Sequence, residues 1–403
     1  MIRKDILKEV INSQRKWIIG LKKGVKRERL QDTIPTGSYA LVISGVRRCG
    51  KSTLLNQILD KQEKFYYLNL EDPKLEGFEL KDFNRADEIF RESYGEGGIY
   101  FFDEVQNVDK WETFIRYLVD KKEKVVVTGS NASLLSKELG TKLTGRHKRI
   151  ELFPFSYKEF LNFFNLKPSS DSYKIFLTKG GFPLFLKTGD ETDLQELFSD
   201  IVMRDVAIRF GIKNTSTLKK IALYFLGHVG KEFSYNSLKK TFEIKSVQTV
   251  IDYTSFFEDA YLIFTVPKFS YSYKEQQINP KKVYSIDNGL SYANSVSFSK
   301  DKGKMMENEA YLNLRRKYKE IFYFQGKKEC DFIIKQKNKI TNAFQVCYEI
   351  NDENEEREIS GLMEAMEKFK LKKAFILTFN QEDNIKKDNK EIIIIPLWKW
   401  LLK

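Results

Sequence analysis

Short, almost unbroken apolar runs punctuate the first part of the chain, at residues 39–44, 65–70, 99–102, 124–128 and 149–152. Runs of this kind predict parallel strands covered on both faces, and the segments between them, with apolar positions at helical spacing, predict helices. Residues 1–34 place Ile6, Leu7, Val10, Ile11 and Trp17 at roughly helical spacing among charges, which predicts a helix against the sheet. The basic run at 22–29 reads as a solvated face of that helix, with contact to nucleic acid as the alternative. From 155 to 212 the pattern is helical and aromatic, interrupted by the turn Lys179-Gly180-Gly181-Phe182-Pro183. Residues 218–228, 235–242 and 246–257 then predict three helices, followed by a strand at 261–266, the order of a winged helix-turn-helix. The C-terminal third alternates again, with strands expected near 282–286, 329–334, 343–348, 374–378 and 392–395 and a helix carrying Glu307.

The first apolar run leads into Gly45-Val46-Arg47-Arg48-Cys49-Gly50-Lys51-Ser52-Thr53, and helical spacing resumes behind it. Strand, glycine loop and helix in this order form a phosphate cradle. Glycines let consecutive N–H groups turn inward, and the helix adds its positive end. Lys51 then reaches the β- and γ-phosphates of ATP, and the Ser52 hydroxyl is a ligand for Mg²⁺. Arg47 and Arg48 add charge beside the nucleotide, contact an acidic partner or stay solvated. The run at 99–102 closes on Asp103 and Glu104, so that Asp103 holds the Mg²⁺ and Glu104 serves as general base toward the attacking water. Thr128-Gly129-Ser130-Asn131 ends the next strand. Ser130, then Thr128 and Asn131, are candidates to hold water or the γ-phosphate, and a cap for a helix at Leu134-Leu135 is the alternative. Arg146, after Leu143-Thr144-Gly145, is expected to stabilise transition-state charge in the same or a neighbouring site.

A length of 403 residues predicts two or more domains. The net charge of +13 suits a phosphate-rich partner, although the basic residues are spread throughout. Three scattered cysteines and two histidines make a disulfide framework, a zinc site or a histidine triad poor expectations. No apolar run approaches membrane-spanning length, so a cytoplasmic protein without a membrane partner is expected.

These motifs, with Leu68-Asn69-Leu70-Glu71-Asp72-Pro73, Phe102-Asp103-Glu104-Val105-Gln106 and Leu152-Phe153-Pro154-Phe155-Ser156-Tyr157, resemble the prokaryotic AAA+-type ATPases, common in archaea, that carry a C-terminal nuclease-like domain of uncharacterised function. The resemblance implies ATP hydrolysis and a five-stranded sheet with the phosphate loop on its central strand. It also implies a helical lid that contains the Gly181-Phe182-Pro183 turn and Arg204-Asp205. Arg204 or Arg209 would sense the γ-phosphate, or form a salt bridge to Asp205 within the lid. The fold class expected is α/β, a P-loop AAA+-type parallel sheet with helical lid, winged helix and a C-terminal restriction-endonuclease-like α/β domain, divided at 1–154, 155–212, 213–275 and 276–403. In the winged helix, Lys245, Ser246, Gln248 and Thr249 would face DNA, with Asp252 and Glu258 repelling it; protein packing is the alternative role.

In the last domain a helix acid, Glu307, and a hairpin acid, Asp331, resemble the metal positions of a PD-(D/E)XK nuclease core. The following strand should carry Glu-x-Lys and instead reads Gln345-Val346-Cys347. A neutral amide and a thiol supply neither charge, and sulfur is a poor donor for Mg²⁺. The expectation is therefore a degenerate, inactive nuclease site, with Glu349 on the same strand face as the one possible substitute. Two functions remain open: an ATPase that acts on or is regulated by nucleic acid, and a nucleotide-gated switch or scaffold that binds a protein partner, oligomeric in either case if Arg146 acts between copies.

Overall fold

The computed structural model describes residues 1–32, 37–131, 145–295, 301–387 and 389–403, so the expectations for Leu134, Leu135, Leu143 and Thr144 lie outside the described residues. The chain forms two compact units, Met1–Phe153 and Pro154–Lys403.

The first unit is built on five parallel strands, β1 (Ala40–Gly45), β2 (Phe65–Asn69), β3 (Ile99–Asp103), β4 (Val125–Gly129) and β5 (His147–Leu152). Their order is β2-β3-β4-β1-β5. The phosphate-loop strand β1 is thus interior but second from the edge. The middle place expected for it belongs to β4, which pairs with β1 on one side and β3 on the other. Alternate residues of the sheet, among them Val42, Leu68, Phe102 and Val127, bury one face against helices α1 (Lys4–Gly20), α3 (Leu80–Tyr94) and α4 (Trp111–Asp120), while α2 (Lys51–Leu59) follows β1. Phe83 of α3 stacks on Phe114 of α4 at 4.8 Å and meets Phe102 edge-on at 5.4 Å. Truncating a ring buried in this way costs about 3–5 kcal/mol.

The basic run after α1 is not a solvated helix face. The helix stops at Gly20, and the chain beyond it lies along α2 as a strap. Gln57 Nε2 donates to the carbonyls of Lys23 (2.6 Å) and Val25 (2.7 Å), and Asn56 Nδ2 to that of Leu21 at 2.7 Å. Two polar side chains of α2 so replace the hydrogen bonds that a continued helix would have made.

The second unit opens with helices Tyr157–Phe164, Ser170–Lys179, Pro183–Thr188 and Thr192–Asp200, the last running into a π-helix, Ile201–Ile208. Gly180, at φ 69°, lies so close to the Asp287 carboxylate that a Cβ would meet it at 2.2 Å, and Gly181 N–H donates to Asp287 Oδ2 at 2.6 Å. Arg204 pairs with Asp200 at 3.5 Å, one helical turn back. Helices Thr215–Gly227, Tyr235–Thr241 and Val247–Asp259 accompany a small antiparallel sheet of β6 (Glu232–Phe233), β7 (Ile263–Pro267) and β8 (Lys281–Ser285), ordered β6-β8-β7. Strand β8, read from the sequence with the C-terminal segment, belongs to this sheet by its pairing. A mixed six-stranded sheet follows, ordered β13-β14-β12-β11-β10-β9, from β9 (Glu320–Gln325), β10 (Glu329–Gln336), β11 (Lys339–Val346), β12 (Lys373–Thr378), β13 (Asp383–Lys387) and β14 (Lys390–Pro396).

Candidate functional site

Past Gly45 the chain turns through Val46, Arg47, Arg48, Cys49 and Gly50 into α2. Gly50 has φ 99°, a region that disfavours side chains, and a Cβ on Gly45 would come within 2.1 Å of the Leu152 carbonyl oxygen. The turn is also held from inside. Cys49 Sγ donates to the Leu152 carbonyl at 3.4 Å, and Arg27, 3% exposed, donates to the Cys49 carbonyl through Nη1 and to the Phe153 carbonyl through Nη2, each at 2.7 Å. Arg27 escaped the sequence reading because its neighbours Lys26, Glu28 and Arg29 made it look like one more solvated charge. The break in helical pattern at Gly24 was the available signal.

Lys51 is the first residue of α2 and is buried. Its Nζ donates to the carbonyls of Gly45 (3.1 Å) and Val46 (3.3 Å) and pairs with Glu104 Oε1 at 3.4 Å. Ser52 Oγ donates to Asp103 Oδ2 at 3.0 Å. Thr128 on β4, the strand beside β3, holds both acids: its hydroxyl donates to Asp103 Oδ1 and accepts from the Glu104 N–H at 3.1 Å. Tyr67 on β2 donates its hydroxyl to Asp103 Oδ2 at 3.1 Å. Ser130 Oγ accepts from Gln106 Nε2 at 3.2 Å, and the same amide donates to Glu104 at 2.5 Å. Thr128 and Ser130 are therefore committed to the two acids, the first directly and the second through Gln106. Arg47 pairs with Glu71 at 3.1 Å, and Thr53 lies against Gly24 of the strap.

Complete burial and the charge of Glu104 push the Asp103 carboxyl up, against the pull of Thr128 and Lys51. Burial acts on Glu104 in the same sense, but the Lys51 ammonium and the Gln106 amide outweigh it and hold that carboxyl below its usual range. Glu104 is thus ionised at neutral pH. It also sits at φ 54°, a left-handed conformation uncommon for a residue with a side chain. The Ser52 hydroxyl and the Asp103 carboxylate are hard oxygen donors on one spot, a set that fits Mg²⁺.

Arg146 is elsewhere. Its carbonyl accepts from the N–H of Ala40, at the start of β1, and its guanidinium pairs with Asp120 at the end of α4. The phosphate loop leaves the other end of β1, roughly 17 Å away at about 3.3 Å per residue. A role in the same site, one of two considered from the sequence, is beyond the reach of this side chain.

In the second unit Glu307, Asp331, Gln345 and Cys347 line one cleft of about 800 Å³. What the sequence did not reveal is Lys282, from β8. Its side chain is 2% exposed, and Nζ lies 3.2 Å from Glu307, 3.0 Å from Asp331 and 2.5 Å from Glu329. Lys304 Nζ and Tyr284 OH each donate to Glu307 at 2.7 Å. Gln345 accepts from the Asp331 N–H at 3.2 Å and donates to Glu358 at 2.8 Å. Although burial opposes it, Lys282 and Lys304 hold Glu307 well below the carboxylate range, whereas burial and Glu307 push Asp331 up. Glu349 lies beyond the end of β11 at Val346, so it shares no strand face with Gln345, yet it lines the same cleft. Lys282 gave no signal because it follows Lys281 at the start of β8, where a lysine ordinarily points to solvent. All three cysteines are buried thiols.

Two proteins align with nearly the whole chain. An uncharacterized protein of Methanocaldococcus jannaschii is 36% identical, over all of this chain and 96% of its own length, and an uncharacterized protein of Haemophilus influenzae is 30% identical over 89% of this chain and 94% of its own. The chain belongs to their family. In this member, residues 37–161 match the family described as an AAA domain, and residues 170–301 match a domain of unknown function. The AAA domain makes it a nucleotide-binding protein of the AAA+ P-loop ATPase type. Among solved structures it is similar to a signal transduction ATPase with numerous domains, bearing a tetratricopeptide repeat sensor, from Pyrococcus horikoshii (15% identity, TM-score 0.29, 74% of this chain and 46% of that one). It is also similar to AMPPCP-bound DnaA from Aquifex aeolicus (15% identity, TM-score 0.29, 62% and 88%). The chain spans under half the length of the first of these. Among the described residues no helix is long and apolar enough to cross a membrane.

Proposed function

We propose that this chain is a Mg²⁺-dependent ATPase whose turnover acts on, or is regulated by, nucleic acid. The observation that carries the proposal is the convergence of Lys51 on Glu104 at 3.4 Å and of Ser52 on Asp103 at 3.0 Å, beside a glycine loop whose Cys49 carbonyl accepts from Arg27.

In this reading the loop N–H groups and Lys51 bind the β- and γ-phosphates of ATP. Ser52 and Asp103 would hold Mg²⁺, which when bound offsets phosphate charge. Phosphate oxygens compete with Glu104 for the Lys51 ammonium, so ATP binding releases Glu104 from its ion pair. Glu104 then takes a proton from water as the water oxygen bonds to the γ-phosphorus and the β–γ bridging oxygen leaves with ADP. Gln106, between Glu104 and Ser130, orients the base. Arg146 acts on the phosphates of a second copy, which its position at the far end of β1 favours over its own.

Residues 155–212 serve as a lid, 213–275 with β8 as a winged helix, and the remainder as a nuclease-like domain. The winged-helix assignment is supported by the order of its helices around β6, β7 and β8. DNA contact by Lys245, Ser246 and Gln248 is supported by their exposure and by Glu258, which the sequence placed among the repelling charges but which accepts from Thr265 N–H and hydroxyl, each at 2.8 Å. The cleft favours a second reading, a nucleotide-gated protein-binding switch with slow hydrolysis and an inactive nuclease-like domain, because its acids are engaged by Lys282 and Lys304. ATP turnover measured with and without DNA separates the two: strong stimulation supports the first, and turnover indifferent to DNA supports the switch.

A further inference from the structure

A second groove of the same unit, about 650 Å³, lies between the β10–β11 hairpin, the end of helix Glu355–Lys368 and the segment after β7. Along the chain its lysines look like scattered surface charge, in Lys335-Gln336-Lys337-Asn338-Lys339 and in Lys368-Phe369-Lys370. The fold brings them to one place. Lys335, Lys339, Lys368 and Lys370 line the groove and no carboxylate does. Lys335 is paired with Glu320 at 2.9 Å, but Lys339 and Lys370 are exposed and have no ion pair among the described residues. The tight turns that present them are left-handed, with φ 46° at Lys337, 65° at Asn338 and 55° at Lys370.

The floor is aromatic. Phe269 meets Phe369 edge-on at 5.0 Å and is tied down by its N–H, which donates to the Tyr323 carbonyl at 2.8 Å. Tyr271 packs edge-on against Phe269 at 5.2 Å yet is 84% exposed, and the short helix Tyr273–Ile278 beyond it buries none of its residues. A rigidly backed tyrosine turned to solvent beside unpaired lysines is the combination that binds exposed bases and a phosphate backbone together.

We propose that this groove binds single-stranded nucleic acid, with Lys339, Lys368 and Lys370 along the phosphates and a base stacked on Tyr271. Duplex DNA keeps its base faces inside the stack and offers Tyr271 nothing to stack on. An acidic peptide would satisfy the lysines and leave the ring in water. The proposal deepens the nucleic-acid half of the function proposed above and rests on that half alone, since it requires no ATP chemistry.

The test is fluorescence anisotropy of a labelled oligothymidylate with the full chain, without nucleotide, so that failure here is distinguishable from failure of the ATPase reading. A hairpin duplex and a polyglutamate peptide are the competitors. The expected result is single-strand binding that outcompetes both and weakens log-linearly with salt. Tyr271→Ala should weaken it about tenfold, while Tyr271→Phe, which keeps the ring, should not. Lys339→Ala and Lys370→Gly should each reduce the salt slope by about 0.7. These positions are exposed, and unchanged thermal unfolding shows that each variant is folded. Duplex binding as tight as single-strand binding, displacement by polyglutamate at equal charge, or affinities that the folded variants leave unchanged would each overturn the proposal.

Discussion

Arg27 Nη1 donates to the carbonyl oxygen of Cys49 at 2.7 Å, so a residue from the strap after α1 supports the backbone of the phosphate loop from within. Arg27→Ala removes the donor for two buried carbonyls, those of Cys49 and Phe153. The expected cost is about 1–3 kcal/mol for each acceptor left unsatisfied. Urea unfolding and ATP titration should both respond, and Arg27→Lys, which reaches one carbonyl at most, should recover only part of either. ATP affinity that stays at the wild-type level in a destabilised Arg27→Ala protein would show the strap to be structural support only.

Lys51→Ala should abolish ATP binding, since it removes the ammonium at the start of α2 that the β- and γ-phosphates would engage. Glu104→Gln should bind ATP and turn it over about a hundredfold more slowly or worse, the usual contribution of a positioned base. The ion pair adds a pH signature. The Glu104 carboxyl is depressed in the folded protein, so the stability it contributes is present above the ordinary glutamate value and is lost as pH falls through the lower, folded one. In Lys51→Ala the depression should disappear, so the part of the acid limb that Glu104 contributes to the unfolding profile should flatten.

Arg146→Ala tests whether two copies cooperate. The variant should keep ATP affinity and lose turnover, and mixing it with Lys51→Ala protein should restore some, because each supplies what the other lacks. Normal turnover by Arg146→Ala alone would assign the residue to its ion pair with Asp120, and Asp120→Asn should then reproduce any loss of thermal stability.

Lys282 decides the character of the C-terminal cleft. Lys282→Met leaves Glu307, Glu329 and Asp331 facing one another, and breaking a buried pair of this kind costs about 3–5 kcal/mol. Adding Glu307→Gln to it should recover part of the loss in urea unfolding. The unaltered protein should not cleave single- or double-stranded DNA with Mg²⁺ or Mn²⁺. Cleavage that Asp331→Ala abolishes would mean that the acids leave Lys282 to bind metal.

Glu309 predicts a second pH dependence of opposite sign. Burial and the nearby Asp287 push its carboxyl up to about 8, against the pull of Arg316. The unfolded chain releases this proton near the ordinary glutamate value and the folded chain only near 8, so stability is greatest below that window and falls as pH rises through it. Glu309→Gln should flatten this decline in thermal unfolding. An unchanged slope would assign the decline to Asp287, whose carboxyl burial raises to about 6.

The phosphate loop, the acids that close β3 and most strands of the five- and six-stranded sheets were legible in the chain because their causes are local. Glycines must stand where the backbone turns back on itself, and strands covered on both faces must be apolar throughout. Strand order was not local. The resemblance implied a central β1, while the insertion of β4 beside it depends on which helices cover which face. Arg27 and Lys282 show the same division more sharply. Arg27 stands among surface-type charges and Lys282 beside Lys281 at the start of a strand, and each is buried because the fold supplies partners from far away: carbonyls of Cys49 and Phe153 for the first, and carboxylates from a helix and from β10 of the six-stranded sheet for the second. A charge can be buried only where its counter-charges or acceptors converge. Residue type along the chain cannot announce that convergence, so these two positions, the distance between Arg146 and its own loop, and the gathering of lysines around Tyr271 were decided by tertiary structure alone.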